Sequence, residues 1–182
     1  RFIQIGLPYR IVGGFRFYER AEIRDALAYL RLVNQPSDDL AFERIVNVPK
    51  RGLGDKAVEK IHRAARAEGV PLMLAAARII ETDGLTGQAR KALGRFIGDL
   101  ARWRDLATTL SHADLARQML DESGYTAALQ AERTAEASGR LENLQELARA
   151  MEDYETLGAF LEHVSLVMDN DAQQDEAKVT IM

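Results

Sequence analysis

Apolar positions recur at spacings of three and four through most of this 182-residue chain, so helices are the expected elements almost throughout. Ile23, Leu27 and Leu30 put one apolar face on a helix over about residues 19–33, and Pro36 forces the exit. Ser37 and Asp38 supply N-cap chemistry for a short helix reaching Val46. Asp55 is a candidate cap for the next helix, which ends before Gly69. Pro71 suits the first turn of a helix that runs to about Ile80, and Asp83-Gly84 breaks the pattern. Ala89, Leu93, Phe96, Ile97, Leu100 and Trp103 then keep the helical period over a long amphipathic stretch. Ser111 with Asp114 reads as a capping box opening a helix over 115–122, which Gly124 stops. Residues 134–139 (Thr-Ala-Glu-Ala-Ser-Gly) read as a mobile connector; from Arg140, Leu141, Leu144, Leu147, Met151 and Tyr154 mark another helix. Thr156 is the candidate cap of the last one, which carries Phe160, Leu161, Val164 and Met168.

The pattern changes only at the two ends. Residues 9–12 (Tyr-Arg-Ile-Val) follow Pro8, are partly β-branched and stop at Gly13-Gly14, so a short strand is expected. Residues 169–176 are polar and acidic and read as a loop, with a second strand beginning near Lys178. A helical body between two strands distant in sequence is the arrangement of an insertion into another domain's sheet, whose ends lie close together. Starting at Arg1 and stopping at Met182 within a β-branched run, the sequence reads as a piece of a longer protein. The expected class is mainly α, with a helix-hairpin-helix-like turn and short terminal β-strands.

Composition narrows the classes. With 47% hydrophobic and 29% charged residues the chain can bury a core, and no apolar run approaches the roughly 18 residues that span a bilayer. Arg1-Phe2-Ile3-Gln4 leads straight into a structured pattern rather than a signal peptide. The absence of cysteine excludes disulfides and thiolate metal sites and fits a reducing cytoplasm. His62, His112 and His163 lack metal-ligand spacing and read as surface or edge residues. Charge changes the picture more. Residues 1–104 carry 19 Lys and Arg against 12 Asp and Glu, a net of +7, whereas residues 105–182 carry 5 against 16, a net of −11. A first half that meets a polyanion and a second that faces water or a basic partner would explain the split; segregated solvated helix faces are the plainer reading.

The segment Lys50-Arg51-Gly52-Leu53-Gly54-Asp55-Lys56 puts a Gly-apolar-Gly turn immediately before a helix start, with basic residues on both sides. The first turn of a helix has unpaired N–H groups, and glycines let a large anion approach them. Fixed partial positive charge there suits a phosphate, and Lys50, Arg51 and Lys56 would reinforce it. The alternative is a tight turn and nothing more. No Gly-x-x-x-x-Gly-Lys-Ser/Thr loop and no convincing nucleophile arrangement occurs in the chain. Asp38-Asp39 and Glu152-Asp153 are sequence neighbours that do not face each other on a helix, and Trp103 reads as core rather than as a base-stacking platform. Catalysis by these residues alone is not expected.

Residues 7–14 (Leu-Pro-Tyr-Arg-Ile-Val-Gly-Gly) and 17–30 (Phe-Tyr-Glu-Arg-Ala-Glu-Ile-Arg-Asp-Ala-Leu-Ala-Tyr-Leu) closely resemble UvrD/Rep/PcrA-type superfamily 1 DNA helicases. The resemblance continues through residues 47–55 (Asn-Val-Pro-Lys-Arg-Gly-Leu-Gly-Asp) and 139–147 (Gly-Arg-Leu-Glu-Asn-Leu-Gln-Glu-Leu). It ends at Val179-Thr180-Ile181-Met182, which looks like the start of the family's Thr-(Ile/Leu)-His-x-Ala-Lys-Gly-Leu-Glu motif. The resemblance implies the 2B subdomain over 15–176, with residues 1–14 at the edge of the second RecA-like (2A) domain and 177–182 returning to it. It implies a parent enzyme that hydrolyses ATP with Mg²⁺ and moves 3′→5′ along single-stranded DNA, while this segment lacks the ATP site and needs no cofactor.

The family's Gly-Ile-Gly turn, associated with duplex contacts, maps onto Gly52-Leu53-Gly54, with Leu53 a conservative departure. Gly13-Gly14 would touch the single strand near the hinge or merely allow a tight strand exit. Arg20, Arg140, Glu142 and Asn143 belong to the same blocks and are read as structural; Arg140, Glu142 and Asn143 would fix helix packing behind the DNA face, with direct DNA contact as the alternative. The implied partners are duplex/single-strand junction DNA, the other helicase domains of the same chain, and repair or replication proteins, with no membrane. The implied location is the bacterial cytoplasm, at the nucleoid. The competing reading is an autoregulatory module whose acidic half docks a protein and restrains the helicase motor. A helicase–nuclease parent is a third.

Overall fold

A computed structural model describes residues 14–179, with side chains through Gln173. Among the described residues the elements are α1 (Phe15–Tyr18), α2 (Ala21–Asn34), α3 (Asp39–Ile45), α4 (Asp55–Glu68), α5 (Leu72–Ile79), α6 (Gly87–Leu106), α7 (His112–Glu122), α8 (Tyr125–Glu132), α9 (Ala135–Met151) and α10 (Leu157–Val179). The mainly helical class is therefore as expected. The expected strand over residues 9–12 lies outside the described residues, as do residues 180–182 of the second one.

Helix α2 organises the molecule because it is apolar nearly all round: Ile23, Ala26, Leu27, Ala28, Tyr29, Leu30, Leu32 and Val33 are all buried. A helix of that kind sits inside, covered on several sides. Helices α3, α6, α7, α9 and α10 all pack on it. On one side α3 rests on α2, α4 pairs with α5, and α5 bridges to α3 and α6. On the other, α7, α8 and α9 pack mutually, and α10 returns beside α1 and α2. Trp103 is fully buried and meets Tyr29 edge-on at 6.1 Å between centroids, which agrees with its core reading.

Several boundaries follow the expected caps. Asp38 accepts from Ala41 N at 3.0 Å, Ser111 accepts from Asp114 N at 3.1 Å, and Thr156 accepts from Ala159 N at 3.0 Å. Gly69 ends α4 in the left-handed region, at φ +63°. Others need correction. Asp55 is the first residue of α4 and Gly54 is its N-cap, so the carboxylate faces the dipole from inside the first turn. Pro71 is the N-cap of α5 rather than its first residue, and Asp39 of α3 accepts the Leu72 N–H at 2.8 Å in place of a local cap. Helix α7 starts at His112, three residues earlier than expected.

The expected connector over 134–139 is instead the opening of α9. Thr134 caps it by accepting from Ala137 N at 3.0 Å, and the alanines that follow outweigh one Ser-Gly pair. The expected loop over 169–176 belongs to α10, which runs to Val179 and so includes the first residues expected to be strand. No Gly or Pro interrupts it after Gly158, and acidic residues do not break a helix by being polar. Helix α8, absent from the expected elements, begins where Gly124 at φ +82° redirects the chain and buries only Tyr125 and Leu129.

Candidate nucleic-acid interface

The connection between α3 and α4 is built from its inner side. Asn47 accepts the Arg51 N–H at 2.7 Å through Oδ1 and donates through Nδ2 to the Leu53 carbonyl at 2.8 Å. Leu53 points into the core, only 2% exposed. Arg51 turns inward too. Its Nη1 donates to the carbonyls of Ile45 at 2.7 Å, Val46 at 3.2 Å and Pro49 at 3.3 Å, and Nη2 donates to the Tyr29 hydroxyl. The guanidinium carbon lies 4.4 Å from the Phe96 ring centroid, within cation–π range. Tyr29 in turn donates to the Val48 carbonyl at 2.5 Å. Burial raises the Tyr29 pKa, against the opposing charge and hydrogen bond of Arg51, so the hydroxyl keeps its proton at neutral pH.

With its inner side fastened, the turn presents backbone outward. Gly52, Gly54, Asp55 and Lys56 are exposed, as is Lys50. Gly52 adopts φ +79°, the left-handed region where a side chain is strained. A Cβ on Gly54 would meet nothing within 4 Å, so the space over that residue is open. The first turn of α4 closes with the Gly54 carbonyl accepting from Ala57 N at 2.9 Å and Val58 N at 3.3 Å. Among the described residues none accepts from the amides of Gly52 to Lys56. Unpaired N–H groups at the positive end of α4, open space over Gly54 and exposed lysines on either side of the turn in sequence suit an anion such as a backbone phosphate. Asp55 opposes it in part, as an exposed carboxylate at the same helix end.

The remaining expected site residues lie elsewhere. Gly13 is outside the described residues, and Gly14 is the N-cap of α1 at φ −82°, an ordinary value for any residue. Arg20 is the exposed N-cap of α2. Arg140 reaches Glu136 at 2.6 Å and Glu132 at 3.7 Å, tying α9 to the end of α8. Asn143 is buried and donates to Glu22 Oε1 at 2.7 Å, joining α9 to α2, while Glu142 is exposed. Two residues that shape the turn were not among those expected. Asn47 stands in the 47–55 block, where an amide able to bridge donor and acceptor before a glycine turn is a usable signal; Tyr29 lies 22 residues before Arg51, too far for any local pattern.

Among the described residues no cluster of His, Asp or Glu is arranged to hold a metal ion, and no helix is long and apolar enough to cross a membrane.

The family description "UvrD-like helicase C-terminal domain" matches residues 1–182. The chain is 39% identical over 183 residues to DNA helicase II of Rickettsia typhi, covering 100% of the chain and 28% of that protein. It is 40% identical over 175 residues to ATP-dependent DNA helicase PcrA of Bacillus subtilis, covering 93% and 24% respectively. Against DNA helicase II of Escherichia coli the identity is 37% over 174 residues, covering 90% and 24%. The chain thus spans about a quarter of the length of the curated relatives it matches. With the family description matching from the first residue to the last, this chain belongs to the UvrD-like helicase C-terminal domain family.

Proposed function

We propose that this chain is the 2B-type accessory subdomain of an ATP-dependent 3′→5′ DNA helicase, and that it grips duplex DNA ahead of the motor. Residues 15–176 form the inserted helical body, and residues 1–14 and 177–182 belong to the second RecA-like domain. The ATP and Mg²⁺ sites of the enzyme lie in parts of the protein beyond these residues. The observation that carries this reading is the exposed Gly52–Gly54 turn, whose amides are free on the outside and whose inner side is braced by Asn47 and Arg51.

In mechanism, a phosphate of one strand seats against the amides at the start of α4, with Lys50 and Lys56 flanking it. Leu53 and Arg51 hold the turn in shape from within. Contacts of this kind go to phosphate, so the grip is independent of sequence and weakens with salt. It keeps the duplex in a fixed attitude while the motor draws in the single strand.

Binding of the intact protein to a hairpin with a single-strand tail, measured at two salt concentrations, tests the reading. Gly54→Glu fills open space without backbone strain and sets a carboxylate against the phosphate. Loss of charge-assisted hydrogen bonds there weakens duplex binding by about tenfold to a hundredfold, and single-strand binding is unchanged. Asp55→Asn removes the opposing charge and tightens duplex binding roughly two- to fivefold. Wild-type duplex affinity in Gly54→Glu would reject the grip.

A further inference from the structure

The turn does not stand alone on its surface. A Cβ on Gly52 would touch only Gln88 Nε2, at 3.5 Å, so the first turn of α6 abuts the glycine turn directly. From there a cleft of about 680 Å³ opens between Lys50 and the side of α6, with Ala92 and Arg95 on its far wall. A second hollow of about 350 Å³, lined by Gln88, Lys91, Ala92 and Arg95, adjoins it. Lys91 and Arg95 are exposed, and among the described residues neither meets a carboxylate.

The sign of the surface changes one turn further on. Arg102 is held by Asp99 at 3.1 Å and by Glu122 at 2.5 Å. Glu122 also accepts from Trp103 Nε1 at 2.7 Å. Burial raises its pKa, but the hydrogen bonds from Trp103, Arg102 and Gln118 outweigh this and hold the carboxyl below its ordinary range. The far end of the cleft therefore keeps its negative charge and offers no free cation.

We infer that the α6 face carrying Gln88, Lys91 and Arg95 is a second wall of the DNA groove, following the phosphates of one duplex strand away from the glycine turn and ending at the Asp99–Arg102–Glu122 cluster. This rests on the duplex-gripping reading and extends it from a point contact to a track of defined length. Lys91 and Arg95 lie one helical turn apart, about 6 Å along the axis, a spacing that lets each take a neighbouring phosphate of one strand. Phe96, 2% exposed beneath Arg51, is not available to stack on a base, so the track reads charge and shape only.

The test is a salt titration of the intact protein on the tailed hairpin, comparing wild type with Lys91→Gln/Arg95→Gln, Gly54→Glu and Arg104→Gln/Arg133→Gln. The last pair removes two exposed cations that do not line the cleft. Each phosphate contact contributes a slope of about 0.9 in log affinity against log salt, so the Lys91/Arg95 variant should bind duplex with a slope shallower by about 2. Single-strand binding should be unaltered, and the Arg104/Arg133 variant should keep the wild-type slope. If Gly54→Glu weakens binding while the Lys91/Arg95 variant keeps the full slope, the second wall is wrong and the turn grip stands. If neither change alters duplex binding, both fall. Equal losses on duplex and single strand, or the same loss in the Arg104/Arg133 variant, would reduce the wall to general surface charge and overturn it.

Discussion

A guanidinium that donates to three carbonyls and a tyrosine hydroxyl, against the face of Phe96, is committed mainly to the inner side of the turn. Lys50, its neighbour in sequence, is exposed and has no such ties. The basic flank of the glycine turn was readable from the sequence, but the division of labour within it was not. The carbonyls of Ile45, Val46 and Pro49 that hold Arg51 are local, but Tyr29 and Phe96, which complete its inward site, lie 22 residues before it and 45 after. The distinction has a measurable consequence. Lysine keeps the charge but cannot reproduce the planar fork, so Arg51→Lys should lower stability by about 2 kcal/mol. It should also weaken duplex binding through a loosened turn, although net charge is unchanged. Urea unfolding and hairpin binding check this together; a variant with wild-type stability and affinity would mean that the residue serves only as a positive charge.

At the scale of elements, the helices that were legible are those with a side-chain cap and an apolar stripe, such as α3, α6 and α10 at its start. Asp38 and Thr156 announce their helices because the chemistry is local. The misread stretches share a different cause. Residues 134–139 and 169–176 are polar or small, with little apolar periodicity, yet nothing in them breaks a helix beyond one glycine. Their helicity comes from continuity with a packed neighbour, which a local pattern does not contain. Asp39 capping α5 across 33 residues is illegible for the same reason. For α9 the start can be tested through its cap. Thr134→Ala removes the acceptor for Ala137 N and should cost about 1 kcal/mol in unfolding experiments. Were the segment a mobile connector, as its composition suggests, the same substitution would leave stability within error.

For the molecule as a whole, the division of charge seen in the sequence falls on either side of α2, with α3 to α6 on one side and α7 to α9 on the other. Polar side chains on α2 fasten both groups. Asp25 accepts from Arg44 Nε at 2.8 Å on the α3 side and from the Tyr125 hydroxyl at 2.7 Å on the α8 side. Three tyrosines are buried, Tyr18 on α1, Tyr29 on α2 and Tyr125 on α8, and the folded protein resists ionising all of them. Burial, then Tyr154, pushes Tyr18 up to about 12; burial, then Asp25, raises Tyr125; burial raises Tyr29 against Arg51. In the unfolded chain each titrates near the ordinary 10.0. Below that value all three are neutral in both states and their contribution to stability is complete. Above it the unfolded chain releases protons that the folded one retains, so stability falls with rising pH, at about 1.4 kcal/mol per pH unit for each tyrosine. The loss from Tyr18 is complete once pH passes about 12. Helical signal and phenolate absorbance, followed together through an alkaline titration, should show that three of the chain's five tyrosines ionise only as the helices are lost, because their ionisation waits for unfolding. Tyr18→Phe removes one of the three contributions and should flatten the fall in stability. Phenolate from more than two of the five tyrosines while the helices are intact would show that these hydroxyls are open to solvent and that the packing around them is looser than the structure implies.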